Sequence, residues 1–215
     1  MKIRKILSKI KLTIKNTWTW LLSFIRKYNL KNRDFTIISN NCWGGFVYRR
    51  YNLPYKTPFL GLFIPAPCYI EMLEKFDYYM SLPLKFINLD ESQYYGKIIK
   101  NGIVYPIGLL GDSVEVHFLH YSSKEEAIYK WEKRKKRIDK NNMLVKFSEM
   151  DCCTPELIEC FDKLPFENKI CFCINVYSDL RSVRLSPHKP GETEVKDDLK
   201  NIPSDLTVLL NNLTK

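Results

Sequence analysis

Three short clusters carry the residue types that chemistry on a polar ligand requires. The stretch Asn40-Asn41-Cys42-Trp43-Gly44-Gly45 combines amides that donate and accept hydrogen bonds, an indole able to stack on a sugar or base, and two glycines that admit close backbone approach. His117 and His120-Tyr121-Ser122 form the second cluster, with imidazoles suited to general acid–base work. Glu149 and Asp151 form the third, just ahead of Thr154-Pro155, a helix start whose backbone N–H groups favour an anion. Lys130 and Arg134 belong to a basic stretch that can serve as a phosphate or partner surface. Each feature also has a reading that needs no ligand. Gly44-Gly45 can serve a tight turn, Trp43 the core, His117 a satisfied core contact beside Glu115, Asp151 the loop before the cap, and the basic stretch a solvated helix face. Cys42 as a nucleophile served by a histidine is a further option that no local motif establishes.

In an open α/β sheet, ligands bind beyond the carboxyl ends of the strands, so these clusters matter only where each follows a strand. The β-branched run 35–39 predicts a buried strand ahead of the first cluster. Residues 114–120 alternate, with Val114, Val116 and Phe118 on one face and Glu115, His117 and Leu119 on the other; His120 leaves on the first face. A strand over 143–147 precedes Glu149 and Asp151. Further strands are expected at 84–89 and 103–107, around a turn at Asn101-Gly102, and at 170–176. Helices are expected at 46–51, 68–80 and 124–139, the last opened by a capping box of Ser123 and Glu126, then after Thr154 and at 206–213. The alternation predicts an α/β fold of three layers, an open mixed or mostly parallel sheet with helices on both faces. The strand–helix–strand run through 114, 147 and 176 is its clearest part, and the chain beyond Tyr177 reads as polar until 206.

With 215 residues, 45% of them hydrophobic, the chain can build one substantial core. Its charge is uneven. Residues 1–33 hold ten Lys and Arg and no acid; removing those ten from the 34 bases leaves 24, equal to the 24 acids, so the body is formally neutral. This divides the chain into a basic N-terminal segment, 1–33, and a single α/β domain, 34–215. Ile3, Ile6, Leu7, Ile10, Ile14, Trp18, Leu21, Leu22 and Ile25 make one helical stripe in the head, with the lysines largely off it. Lys11, Lys15 and Asn16 interrupt the run, which therefore lacks the unbroken apolar core of a signal peptide and falls short of the roughly 18 apolar residues of a spanning helix. A basic amphipathic helix with Trp18, Trp20 and Phe24 suits an anionic membrane surface; packing on the domain is the other reading. Nucleic acid is the least favoured partner, because the neutral body offers no matching basic field. Seven cysteines without a C-x-x-C, and no leader, point to reduced thiols in the cytoplasm. No Walker A, G-x-G-x-x-G, H-E-x-x-H or G-x-S-x-G motif occurs. With only three histidines a protein-built zinc site is not expected, and nothing specifies a cofactor.

Ser39-Asn40-Asn41-Cys42-Trp43-Gly44-Gly45, Thr57-Pro58-Phe59 with Gly61-Leu62-Phe63-Ile64, Tyr105-Pro106-Ile107-Gly108 and His117-Phe118-Leu119-His120-Tyr121 together resemble the DUF1919 family. So do Glu126-Ala127 to Lys130-Trp131, Arg134-Lys135-Lys136-Arg137-Ile138, and Leu164-Pro165 followed by Asn168-Lys169; the resemblance runs over about 35–175. Where the family carries Asp-Arg-Asp-Gly this chain reads Glu149-Met150-Asp151-Cys152, and Asp151 is the residue that matches. The family is bacterial and its members are often labelled exopolysaccharide biosynthesis proteins. The resemblance therefore implies a surface- or capsule-polysaccharide setting. Joined to the basic head, it leads us to expect a cytoplasmic transferase, peripheral at the inner face of the membrane, acting on a sugar nucleotide or lipid-linked glycan. His117 or His120 would act as base and Asp151 would assist. Asn40 to Gly45 and Tyr121 would line the ligand, and Lys130 or Arg134 would neutralise phosphate. The alternative is a non-catalytic binding or scaffold protein that recruits glycosyltransferases to the membrane.

Overall fold

A computed structural model describes residues 20–98, 104–196 and 202–213. The head's stripe from Ile3 to Trp18, six of its bases and the turn expected at Asn101-Gly102 lie outside the described residues. Residues 20–29 form a helix, α1, that shows Trp20, Phe24 and Ile25 to solvent. Its C-terminal half touches the domain, Lys27 Nζ donating to the Asn52 carbonyl and Asn211 Nδ2 to the Asn29 carbonyl, both at 3.3 Å. Leu30 is fully buried, and the Asn32 side chain donates to Asn142 Oδ1 at 2.7 Å and to the Leu210 carbonyl at 3.0 Å.

Two sheets organise the chain. β1 (Thr36–Ser39), β5 (Met143–Ser148), β6 (Lys169–Cys173) and β7 (Val183–Leu185) form a parallel sheet in the order β1-β5-β6-β7. Strand side chains alternate between faces. Ile37, Leu144, Ile170 and Phe172 point to one side, into a core shared with α2 (Trp43–Arg50) and α7 (Leu206–Asn211). Ile38, Val145, Phe147 and Cys171 point to the other, toward α3 (Ala66–Glu74) and α6 (Pro155–Lys163). The expected α/β fold, with helices on both faces of a mostly parallel sheet, is what the chain adopts. β5 is central, and all six of its residues are buried, Lys146 included. Among the described residues no disulfide is formed.

The departures are local. β4 (Val114–His117) joins not this sheet but a second, antiparallel one, β2-β3-β4, with β2 at Leu84–Ile87 and β3 at Ile107–Leu110. The tight turn after Leu110 pairs β4 with β3 at once, Leu110 opposite Val114 and Ile107 opposite His117. The run expected to link 114, 147 and 176 as one strand–helix–strand unit is thus split between two sheets. The helix expected over 68–80 breaks at Lys75, which leaves helical backbone (φ −127°, ψ 45°) before α4 (Phe76–Ser81). α5 (Lys124–Lys135) opens at the expected Ser123 cap, but it ends short of the expected 139 and only half of the expected capping box forms. Ser123 Oγ accepts the Glu126 N–H at 3.2 Å, while the Glu126 carboxylate turns back to Ser122, accepting its N–H at 3.0 Å and its hydroxyl at 2.7 Å. Ala127 and Trp131 bury the narrow inner stripe of α5.

Candidate functional site

The three clusters meet. Each begins where a strand ends, and together with a C-terminal segment they enclose a cleft of about 700 Å3, within the range of small-molecule sites. Asn41 and Cys42 follow β1, His120 follows β4, and Met150 and Asp151 follow β5; Tyr105, residues 191–196 and an apolar set that includes Leu62, Phe63 and Ile98 also form the wall. Several contacts hold this geometry. Met150 Sδ accepts from Asn41 Nδ2 at 3.1 Å, and the Ala66 N–H donates to the Asp151 carbonyl at 2.9 Å. Asp151 (φ +53°) and Cys152 (φ +65°) are successive non-glycine residues in left-handed backbone. Such strain concentrates at functional sites.

On one side the cleft shares Cys42, Phe46 and His120 with a second hollow of about 450 Å3. Arg49, Lys130 and Arg134 line that hollow, with Tyr55 and Tyr121 between them. Arg134 stands 5.6 Å over the Tyr55 ring and donates to the Tyr121 hydroxyl at 2.9 Å. Lys130 pairs with Glu126 and lies 5.5 Å over the Tyr121 ring. The chamber is unevenly charged: Asp151, Glu192 and Glu194 line one end, where Lys196 pairs with Glu192 at 3.0 Å, and Arg49, Lys130 and Arg134 line the other. His120, exposed to solvent, stands on the border.

Of the expected ligand residues, Asn41 and Cys42 line the cleft, and Cys42, Gly45, Tyr121, Lys130 and Arg134 line the basic hollow. Four expected residues do neither. Asn40 is buried, its Nδ2 donating to the Ser148 carbonyl at 3.4 Å. The Trp43 indole is buried 5.7 Å from Phe172, so it packs the core and offers no stacking face. Gly44 belongs to α2, where a Cβ would come within 3.1 Å of Ile37; its bareness serves helix–strand packing. His117 is sealed under the wall, its ring stacked on Phe63 at 4.6 Å. Glu149, the other carboxylate of its cluster, works structurally. It accepts the Ile174 N–H at 2.8 Å and Asn175 Nδ2 at 2.7 Å, and its carbonyl takes the Val195 N–H at 2.9 Å, which fixes residues 191–196 over the cleft.

Several contributors were not expected. Lys146 is fully buried behind the cleft, donating to Asn41 Oδ1 at 2.7 Å beside the rings of Trp43 and Phe172. The same Asn41 oxygen accepts the Trp43 N–H at 3.3 Å, so one amide ties the cleft wall, α2 and β5 together. A lysine inside an otherwise apolar strand was the available signal. Tyr105 lies on the wall, and burial, followed by the nearby charges of Asp151 and Glu115, pushes its phenol up to about 12. Arg49 and the 191–196 segment complete the list. Among the described residues no cluster of three or more His, Cys, Asp or Glu has a metal-holding arrangement, and no helix is long and apolar enough to cross a membrane.

Comparison with known proteins places this geometry in a family. Residues 13–207 match the family described as "Domain of unknown function (DUF1919)". A relative from Haemophilus influenzae, described as an uncharacterized protein, is 31% identical over 174 residues, 81% of this chain and 78% of the relative.

Proposed function

The chain belongs to the DUF1919 family, and we propose that it is a transferase of surface or exopolysaccharide biosynthesis, acting at the inner face of the membrane on a sugar nucleotide or lipid-linked glycan. The unevenly charged chamber supports this reading. A glycosyl diphosphate carries its charge at one end and neutral hydroxyls at the other. Arg49, Lys130 and Arg134 suit the diphosphate, while Asn41 and Asp151 suit sugar hydroxyls. His120 stands on the border, where the sugar of such a ligand would join its diphosphate. The membrane part of the proposal rests on α1, whose Trp20, Phe24 and Ile25 are exposed, and on the ten bases of residues 1–33. Each base near an anionic surface contributes about 1 kcal/mol.

The test is thermal denaturation with a panel of nucleoside diphosphate sugars. A ligand at about 100 times its Kd stabilises by about 2.7 kcal/mol. We expect a saturable rise in Tm with one of them, reduced in Arg134→Ala and Lys130→Ala. Flotation with anionic vesicles should weaken in salt and disappear when residues 1–33 are removed. The exposed apolar face of α1 also favours a second reading, a scaffold that recruits glycosyltransferases. No shift with any nucleoside diphosphate sugar, together with co-purification of a glycosyltransferase, would establish that reading in place of the first.

A further inference from the structure

Beneath the cleft wall, β4 carries a carboxylate and an imidazole two residues apart on one face, both buried. The His117 ring is clamped between elements distant in sequence. Phe63 stacks on it, and the edges of Tyr94 and Tyr105 close at centroid distances of 6.1 Å and 5.8 Å. His117 and Phe63 also exchange both backbone hydrogen bonds at 2.9 Å. Nε2 of the ring stands 3.1 Å from Glu115 Oε2, and Nδ1 is 3.4 Å from the Tyr105 hydroxyl. Glu115 is held in turn by the Ser92 hydroxyl at 2.5 Å and the Gln93 N–H at 2.8 Å. Burial opposes ionisation of Glu115, but His117, Ser92 and Gln93 outweigh it and hold the carboxyl below its ordinary range. Glu115 Oε2 faces Nε2 as a charge at 3.1 Å, without the alignment of a hydrogen bond, and a negative charge there favours the imidazole proton on Nε2, with Nδ1 as acceptor for the Tyr105 hydroxyl. Carboxylate, imidazole and phenol form one chain, and only its phenol reaches the cleft.

We propose that Tyr105 is a catalytic residue that exchanges the proton of the reacting hydroxyl, with His117 and Glu115 as positioning residues behind it; this inference rests on the transferase reading. An acceptor hydroxyl attacks the anomeric carbon of the donor. The new C–O bond forms as the bond from that carbon to the phosphate oxygen breaks, and the diphosphate leaves with the electron pair on the basic side. The hydroxyl proton passes to Tyr105 Oη while the phenol's own proton passes to His117 Nδ1. The resulting imidazolium is balanced by the Glu115 carboxylate, and the proton returns through Tyr105 to water once product leaves. The hand-off removes any need for a free phenolate, which burial of Tyr105 makes unfavourable.

Two measurements on the full chain test this. With 15N-labelled histidine, NMR should show a proton on His117 Nε2 and a hydrogen-bonded acceptor at Nδ1. In Tyr105→Phe its Nδ1 signal should move toward that of an imidazole nitrogen without a hydrogen bond. A proton on Nδ1, or no movement in the variant, would overturn the proposal. In cells lacking the gene, Tyr105→Phe should restore surface polysaccharide at least 10-fold less well than wild type, with Tm within 2 °C and nucleoside diphosphate sugar binding retained; general acid–base groups contribute about 100-fold or more to a rate. Glu115→Gln should fall in the same direction. Full restoration by Tyr105→Phe would refute the relay while leaving the transferase reading intact. If deleting the gene leaves polysaccharide unchanged, the transferase reading fails, and with it the catalytic role of Tyr105, even where the NMR result confirms the chain of contacts.

Discussion

Replacing Gly61 with alanine tests the seam that holds the His120 turn in place. Gly61 sits at φ +68°, and a Cβ there would stand 3.2 Å from the Tyr121 ring and 3.3 Å from His120 Cβ. Left-handed backbone costs an L-residue about 1–2 kcal/mol. Neither neighbour can give freely. The His120 N–H donates to the Gly61 carbonyl at 2.9 Å, and the Tyr121 hydroxyl donates to the Leu60 carbonyl at 2.7 Å while accepting from Arg134. Overpacking of this kind adds about 1–3 kcal/mol, and contacts only a few tenths of an ångström too close belong at the low end. The expected loss is therefore about 2–3 kcal/mol, or about 4–12 °C in Tm for a chain of this size. Gly96→Ala is the matched control, because Gly96 sits at φ +76° with nothing within 4 Å of its added Cβ. It carries the same backbone cost and the same change in the unfolded chain, so the difference between the variants isolates the contact. Urea denaturation of both variants decides the matter. Equal losses would refute the packing of Gly61 against the His120–Tyr121 turn; no loss in either would refute the backbone argument as well.

Asn41→Ala should destabilise the protein although Asn41 lines a cleft, since it removes an acceptor 2.7 Å from the buried Lys146 ammonium. Hydrogen bonds to charged groups contribute about 1.5–3 kcal/mol, and a similar loss is expected by urea denaturation, with Asn41→Asp losing less than half as much. Glu115 has its carboxyl held low in the fold, so its contribution is complete above the ordinary 4.5 and is lost as pH falls through the folded value. The stability gap between wild type and Glu115→Gln should thus stay constant from neutral pH down to about 5 and shrink below 4.5; a gap that widens in acid would reverse the sign argued here.

Period and punctuation made the faces of this fold legible. Ile38 and Val145 on one side, with Ile37 and Leu144 on the other, follow from short β-branched strands, and the Ser123 cap of α5 follows from its residue type. Depth was not legible. Alternation puts Glu115 and His117 on a common face but is silent on what covers it, and the cover is Phe63 and Tyr105, which come from other parts of the chain. Three residues further on, His120 is past the strand end and open to the cleft. Two histidines of equal standing in the sequence are thereby separated into a buried one and an accessible one by non-local packing alone. Lys146 makes the same point in reverse, because a cation in a central strand contradicts local expectation and is tolerated where Asn41, Trp43 and Phe172 surround it. The 191–196 segment had no periodic signal at all. It is placed by a backbone bond from Val195 to the Glu149 carbonyl, while the Glu149 carboxylate holds Ile174 and Asn175; the character of Glu149 reads as reactive and its contacts are structural. A carboxylate whose oxygens are occupied by N–H donors is unsuited to proton transfer. Of the acidic pair after β5, the one that lines the cleft is Asp151, at the left-handed turn 151–152.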